Sequence, residues 1–264
     1  TAGGAVTDSG TLVIPGTATI SASGQAVTLD ESSNNFGTLA VTGANVAVTD
    51  TNAIILGAST ISGTYDVTTG GAITDSGALV ITGETTLAAG SSNDITLDHA
   101  SNDFQGGLII TSGNNVTLVD TGAIILGAAT VSGTYTVTAG GAVTDSGTQE
   151  IAGVTTIAAG SGNDITLNTS TNNFAAAVVI TSGKDVTLVD EDAITLGAST
   201  VSGTYTLTAG GAVTDTGALA ITGVTTIAAG SGNNITLDHT SNNFQAAVKI
   251  TSGNNVTLVD AGAI

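Results

Sequence analysis

The chain has 264 residues, among them 37 glycines, one proline and no cysteine or tryptophan. Its formal net charge is −19, because 21 aspartates and glutamates face only two basic residues, Lys184 and Lys249. Such a chain cannot neutralise phosphates, which excludes nucleic acid and electrostatic binding to anionic lipid. No apolar run approaches the roughly 18 residues of a membrane span, so membrane insertion is not expected.

The sequence repeats itself at a fixed interval. Two sets of aromatic residues mark the period: Tyr65, Tyr135 and Tyr205; Phe104, Phe174 and Phe244. A fixed period of this kind is the signature of a repeat architecture, in which each unit packs on its neighbours. The copies span approximately residues 4–70, 71–140, 141–210 and 211–264, the last incomplete. We expect residues 1–264 to form one continuous repeat segment.

Three related strand segments are predicted within each repeat. In the copy from 141 to 210 they begin at Val143, Ile165 and Val186, and the cycle restarts at Val213. These spacings predict coils of about 21 to 27 residues and about three coils per 70-residue repeat, or about eleven in the chain. The predicted fold class is therefore all-β, a parallel β-solenoid.

The strand segments alternate between polar and apolar residues, as half-buried strands do. We expect Tyr205 and Leu207 to face the core and the threonines between and beside them to face water: Thr204, Thr206 and Thr208.

Lys249 is predicted to point outward from the strand that contains it, because Val248 and Ile250 alternate with it. The residues at the equivalent positions of earlier copies are Ile109 and Val179. These two are then outward-facing apolar residues and candidates for lateral contact with another molecule.

Acidic residues recur at the ends of the predicted strands. One interpretation is turn chemistry, since aspartate bonds to its own backbone and tolerates left-handed conformations. The other is a column of carboxylates that binds calcium weakly between coils. The candidate ligands are Asp120, Asp145, Asp190 and Asp215. No other cofactor is expected, and the glycine-rich nonapeptide of calcium-binding β-rolls is absent.

Asparagine pairs recur beside the strands, as in Asn172-Asn173 and Asn242-Asn243. We expect them in left-handed corners of the coil or stacked into amide ladders. The histidines His99 and His239 occupy equivalent positions two repeats apart, so they cannot share a metal ion or a catalytic triad. Without cysteine or converging histidines, no zinc site and no histidine-assisted nucleophile is available. The chain is therefore predicted not to be an enzyme.

Several segments resemble the repeats of large bacterial exoproteins of the filamentous haemagglutinin type. They are residues 163–167, 172–174, 186–188 and 210–214, which read NDITL, NNF, VTL and GGAVT. The resemblance covers essentially the whole chain. It implies a right-handed parallel β-helix that is secreted, lies at the cell surface or in a biofilm matrix, and acts as an adhesin or fibre.

The predicted function is that of a structural segment of an extracellular fibre or adhesin stalk. Its expected partners are other copies of itself, end to end or side by side, and host or matrix glycans. One alternative is a filament subunit that polymerises end to end, because the sequence stops within a repeat at Ala263-Ile264. A second alternative is an ice- or glycan-binding solenoid with a threonine-rich face. The second alternative requires a flat face that repeats at every coil, whereas the threonine motif is expected only at every third coil.

Overall fold

The computed structural model describes residues 1–262, and within them all regular structure is β-strand. The chain divides into two compact units, residues 1–133 and 134–264. The predicted end of the chain within a repeat, at Ala263 and Ile264, lies outside the described residues. That residues 1–264 form one continuous segment stays a prediction.

Unit 1 (residues 1–133) contains sixteen strands. They are β1 (Val6–Thr7), β2 (Val13–Ser21), β3 (Val27–Leu29), β4 (Asn35–Gly43), β5 (Val46–Asp50), β6 (Ile54–Leu56), β7 (Ser59–Ile61), β8 (Tyr65–Thr69), β9 (Ile73–Asp75), β10 (Leu79–Ile81), β11 (Thr85–Ala88), β12 (Ile95–Leu97), β13 (Asp103–Phe104), β14 (Gly107–Gly113), β15 (Val116–Asp120) and β16 (Ile124–Val131). Their pairing is parallel and forms two stacks, β1-β3-β5-β8-β11-β14-β16 and β13-β10-β7-β4-β6-β9-β12-β15, with β2 joined to β4.

Unit 2 (residues 134–264) contains eighteen strands within its described residues, 134–262. They are β17 (Tyr135–Ala139), β18 (Val143–Asp145), β19 (Gln149–Ile151), β20 (Thr155–Ala158), β21 (Ile165–Leu167), β22 (Asn173–Phe174), β23 (Val178–Ser182), β24 (Val186–Asp190), β25 (Ile194–Leu196), β26 (Ser199–Val201), β27 (Tyr205–Ala209), β28 (Val213–Asp215), β29 (Leu219–Ile221), β30 (Thr225–Ala228), β31 (Ile235–Leu237), β32 (Asn243–Phe244), β33 (Val248–Ser252) and β34 (Val256–Leu258). Three parallel stacks result, β18-β21-β24-β27-β30-β33, β17-β20-β23-β25-β28-β31-β34 and β26-β29-β32, and β19 pairs with β22.

Each unit is a parallel β-solenoid, in which every coil hydrogen-bonds to the coil before it. Residues that pair between coils are 17 to 24 positions apart in the sequence, as shown by Thr38 with Ile55 and Ala158 with Ser182. The coils are therefore shorter than the sequence spacings predicted. The longest predicted interval, from Val186 to Val213, was wrong because Val213 stacks on Ile194, whereas the true neighbour of Val186 is Tyr205.

The predicted solenoid with about three coils per repeat is confirmed. In the structure each 70-residue repeat forms about three and a half coils. From Tyr135 the stacking runs through Thr155 and Val178 to Leu196, three coils away, and reaches Asp215 in the fourth. Tyr205, the copy of Tyr135 one repeat later, falls between these two coils. Consequently β17 and β27 carry equivalent sequences but belong to different stacks of unit 2. The right-handed coil stays a prediction.

The core of each unit lies between the stacks and follows the predicted alternation. Tyr205 and Leu207 are buried, Thr206 is half-buried, and Thr204 and Thr208 are exposed. Since successive side chains in a strand point to opposite faces, each short strand gives one or two apolar residues to the core. The prediction of inward and outward faces in this strand is confirmed.

The coil turns its corners without left-handed asparagine or aspartate. Among the described residues, positive φ angles occur only at four glycines, Gly24, Gly90, Gly160 and Gly230. In unit 2, Gly160 and Gly230 open the loops after β20 and β30, where a residue without a Cβ adopts this conformation at no steric cost. The predicted left-handed asparagine corners are wrong, because side-chain hydrogen bonds satisfy the corner backbone instead.

Candidate functional site

A buried asparagine links neighbouring coils in unit 2. Asn242 is 0% exposed. Its side-chain amide donates a hydrogen bond to Oδ2 of Asp215 at 2.6 Å, and its Oδ1 accepts the backbone N–H of Leu219 at 2.9 Å. The carboxylate also accepts the backbone N–H of Asp238 at 3.0 Å. We call this arrangement the Asp–Asn clamp. It satisfies the polar backbone at the point where β28 ends and β29 begins.

The Asp–Asn clamp recurs once in every copy of the repeat, with the asparagine buried each time. The other three are Asp8 with Asn34 and the N–H of Leu12, Asp75 with Asn102 and the N–H of Leu79, and Asp145 with Asn172 and the N–H of Gln149. Two predicted calcium ligands, Asp145 and Asp215, are therefore members of clamps. The sequence signal for the clamp is an asparagine two residues before phenylalanine, at the start of the segments 34–36, 102–104, 172–174 and 242–244.

The other two predicted calcium ligands form a different corner. Asp190 is buried, and its carboxylate accepts the backbone N–H groups of Phe174 at 2.8 Å and Asp192 at 2.9 Å. Asp120 accepts those of Phe104 at 2.6 Å and Gly122 at 2.7 Å. A bond to the N–H two residues on is the turn chemistry predicted for these aspartates, which is confirmed.

Burial raises the pKa of Asp120 and Asp190, and this outweighs the lowering by the two N–H donors on each carboxylate. Oxygens that already accept N–H groups are less available to a hard cation. In the part of the chain that the structure describes, histidines, aspartates and glutamates form no group of three or more that could hold a metal ion. Calcium binding at Asp120, Asp145, Asp190 and Asp215 stays a prediction.

The predicted lateral contacts, Ile109 and Val179, lie on outward strand positions and are half-buried by their own units. In the next coil each lies over a glycine, since a Cβ at Gly127 would meet Cγ1 of Ile109 and a Cβ at Gly197 would meet Cγ2 of Val179. These side chains thus fill space that the glycines leave open. Contact of either residue with another molecule stays a prediction.

Threonines line one face of unit 2 over five successive coils. The first threonine column runs along the outward centres of five paired strands and consists of Thr144, Thr166, Thr187, Thr206 and Thr226. The next position in register is Lys249, which is exposed as predicted. The expected spacing of one threonine motif in three coils is wrong, because strands with different sequences all place threonine at their centre.

A second threonine column lies on another stack of unit 2. It consists of Thr195, Thr214, Thr236 and Thr257 on successive coils. The hydroxyls of Thr195 and Thr214 are 3.1 Å apart and hydrogen-bonded. In the first threonine column, by contrast, no hydroxyl is bonded to another of the described residues.

Charged side chains lie mostly at strand ends, away from the centres of these columns. Lys184 pairs with Asp185 at 3.1 Å and with Asp164 at 3.5 Å. Hydrogen bonds from the backbone and hydroxyl of Thr204, then the pairing with Lys184, lower the pKa of Asp185 to about 2. Lys249 makes no ion pair with any of residues 1–262.

Three tyrosines are paired with buried threonines inside the core. Tyr65 stacks on Thr85, Tyr135 on Thr155 and Tyr205 on Thr225. Within the described residues all six hydroxyls are buried without a hydrogen-bond partner. Burial raises the pKa of each tyrosine. The sequence placed tyrosine in the core, but it contained no sign of the threonine beneath it.

The two histidines occupy turns. The Nδ1 atom of His99 accepts the backbone N–H of Ser101 at 3.2 Å, and that of His239 accepts the N–H of Ser241 at 3.3 Å. Neither ring enters a cluster of metal-binding side chains among residues 1–262. Nor does that part of the chain contain a helix of the length and hydropathy needed to cross a membrane.

A protein-family model, described as repeats of unknown function (DUF5649), matches nearly the whole chain. The matched segments are residues 1–42, 43–111, 113–181 and 183–251. The chain belongs to this family. The last three DUF5649 matches start at positions 43, 113 and 183, and this interval equals the one between successive tyrosines. No curated protein and no solved structure matches the chain.

Proposed function

We propose that this DUF5649 chain is a structural segment of an extracellular fibre or adhesin stalk. The observation that carries the proposal is the continuity of stacking within each unit. Every coil pairs in parallel with the next, and each repeat copy adds a buried Asp–Asn clamp between coils. A chain of this construction gains length by adding coils, because each coil needs contact only with its neighbours.

The chemistry of the surface supports a place outside the cell. Outward strand centres are mostly threonine, and the net charge of −19 keeps such chains soluble. Absence of cysteine suits a protein whose coils are held by hydrogen bonds and apolar packing. The resemblance to filamentous haemagglutinin-type repeats points the same way. We propose the cell surface as the location and other copies of the chain or matrix glycans as the partners.

Immunolabelling of intact cells tests the location. Antibodies raised against residues 1–264 are expected to label unpermeabilised cells of the source organism, and external protease is expected to remove the label. Labelling that requires permeabilisation would contradict the proposal. A cytoplasmic marker in the same cells controls for lysis.

Deletion of whole repeats tests the structural role. Removing residues 71–210 takes out two periods and rejoins equivalent positions of the sequence. In the surface-displayed protein, this deletion is expected to preserve folding and to shorten the distance between the cell surface and a tag beyond the segment. A tag distance that does not change would contradict a spacing role.

A second candidate function is binding to ice. It is favoured by the threonine columns, which present hydroxyl and methyl groups at every coil, roughly 4.8 Å apart. Thermal hysteresis of the purified chain tests it, with the Thr195→Lys and Thr214→Lys double variant as comparison. Freezing and melting points that coincide at all concentrations would eliminate this candidate.

A further inference from the structure

The first threonine column is a continuous uncharged strip on unit 2. Its five threonines are half-buried by their neighbours, and each contributes a hydroxyl and a methyl group to the outer face. Their spacing is fixed at roughly 4.8 Å by the pairing of the strands beneath them. None of the five hydroxyls is used by another residue within 1–262, so all are available to a partner.

Charges surround this strip and do not interrupt it. Asp164 lies two residues before Thr166 on the same side of its strand, and its side chain is 52% exposed. Asp145 follows Thr144 at the end of the column opposite to Lys249. An uncharged centre with a charged rim is the usual composition of a protein–protein contact.

Lys249 supplies a cation at the other end of the column. In a chain of net charge −19 it makes no ion pair with any described residue, although 21 acidic side chains are present. At the same position of the preceding copies the chain carries Ile109 and Val179. A partner with carboxylates near one end of its own contact surface would give this lysine a counter-charge.

A second copy of the same chain meets these requirements. Because the second copy has the same sequence and fold, its threonines have the same spacing. The hydroxyls and methyl groups of the two columns can therefore interdigitate along their whole length, as in stacked β-sheets. A two-fold axis between Thr187 and Thr206 would place Thr166 opposite Thr226. The same axis would place Lys249 of each copy beside Asp145 and Asp164 of the other, since in such a dimer the contacts are reciprocal.

We propose that the first threonine column, with Lys249, is the surface on which two copies of this chain associate side by side in antiparallel orientation. This deepens the proposed function, on which it rests, by naming the contact through which fibre segments would meet.

Sedimentation velocity of the 264-residue chain, from micromolar to millimolar concentration, tests the association. The weight-average mass is expected to rise from 25.2 kDa towards twice that value. The double variant Thr187→Lys and Thr206→Lys is expected to remain monomeric, because four like charges would meet at the centre of the contact. Lysine is tolerated at such outward centres, as Lys249 shows.

The matched control is Thr214→Lys with Thr236→Lys. These residues are also outward threonines paired on adjacent coils of unit 2, but they belong to the second threonine column. This control adds the same charge outside the first threonine column, so it is expected to associate like the unmodified chain. Lys249→Val, which restores the residue of the preceding copy, is expected to weaken association about two- to thirtyfold, because the two symmetry-related ion pairs that it removes each contribute a factor of up to about five.

The outcomes separate the surfaces. Loss of association in the first column variant alone supports the proposal. A chain that is monomeric at every concentration overturns the proposal. Association that both double variants abolish also overturns it, because the effect would not be specific to the first threonine column. Association that both double variants retain overturns it too and would indicate end-to-end polymerisation. Circular dichroism and thermal unfolding verify that all variants are folded. Surface labelling of cells is a separate measurement, so a monomeric chain would overturn the dimer without affecting the proposed location.

Discussion

Asn242 donates its side-chain amide to the carboxylate of Asp215 at 2.6 Å and so joins two neighbouring coils of unit 2, although the two residues are 27 positions apart in the sequence. Asn242→Ala removes this donor and also the acceptor for the backbone N–H of Leu219. Loss of a buried partner costs about 1–3 kcal/mol of unfolding free energy. We expect Asn242→Ala to lower the free energy of unfolding by that amount, as measured by urea unfolding monitored by circular dichroism.

Asn243→Ala is the control for this prediction. Asn243 is the adjacent, exposed residue, so its truncation should change the unfolding free energy by less than about 0.5 kcal/mol. Equal effects of the two substitutions would show that the Asp–Asn clamp adds nothing to stability.

Asp190→Asn is expected to destabilise unit 2 by about 1–3 kcal/mol. The two carboxylate oxygens of Asp190 accept two backbone N–H groups, whereas an amide offers one oxygen and turns its own N–H₂ towards the second donor. Asp192→Asn removes the same charge from an exposed residue and should leave the urea midpoint nearly unchanged. Matching midpoints for both variants would refute a role of the carboxylate geometry.

Gly197→Ala is expected to destabilise unit 2 by about 1–3 kcal/mol, because the new Cβ would collide with Cγ2 of Val179. Val179→Ala should relieve the collision, so the double variant should lose less than the sum of the single losses. The first copy has the smaller side chain at the position of Val179, since Gly57 faces Ala40, and a Cβ added at Gly57 would meet Cβ of Ala40 at 3.1 Å. The cycle is measured by urea unfolding of all four proteins, and strict additivity would be the contrary result.

Tyr205→Phe is expected to leave stability unchanged or to raise it slightly, although it alters a fully buried residue. The hydroxyl of Tyr205 has no hydrogen-bond partner among the described residues, so its removal relieves a desolvation cost. Tyr205→Ala provides the contrast and should cost about 3–5 kcal/mol through the cavity it creates. A clear loss of melting temperature in Tyr205→Phe would reveal a partner for the hydroxyl.

Asp185 gives unit 2 a stability that depends on pH. Its folded pKa of about 2 lies below the ordinary value of 3.8, so the contribution is present above pH 3.8 and is lost as the pH falls towards 2. Asp185→Asn keeps an acceptor for the N–H of Thr204, as Asn45 does for Thr64 in the first copy.

The melting temperature of Asp185→Asn should therefore lie below that of the unmodified chain at pH 6, and the difference should close between pH 4 and pH 2. Asp192→Asn is the control for the loss of one charge. A difference that stays constant over this range would contradict the assignment to Asp185.

The fold could be predicted because its signals are local. Alternation along a single strand, as from Tyr205 to Ala209, identifies a strand and its buried face, and the tyrosine period identifies the repeat. The stacking partners could not be predicted in the same way. Val213 resembles Val186 in its surroundings, yet it stacks on Ile194, because the length and path of the intervening coil decide which strands meet.

In the candidate sites, too, contacts between residues close in sequence could be predicted and contacts between coils could not. Turn chemistry at Asp190 is visible in the sequence because one partner, Asp192, is two residues away. The clamp joins Asp215 to Asn242, which are far apart in the sequence, and only the coil length brings them together. The first threonine column was missed for this reason too, since Thr187 and Thr206 are neighbours only after the strands have been stacked.

Because each repeat contains an extra half coil, the side on which a motif is displayed depends on whether an odd or an even number of repeats precedes it. In unit 2, β17 and β27 carry the same sequence motif on different stacks, so one repeat period moves a motif to the other side and two periods return it. Gain or loss of a single repeat by recombination would therefore reverse the side on which every later motif of that solenoid is displayed. Gain or loss of a pair would change length and preserve orientation, which makes two consecutive repeats the natural unit of growth.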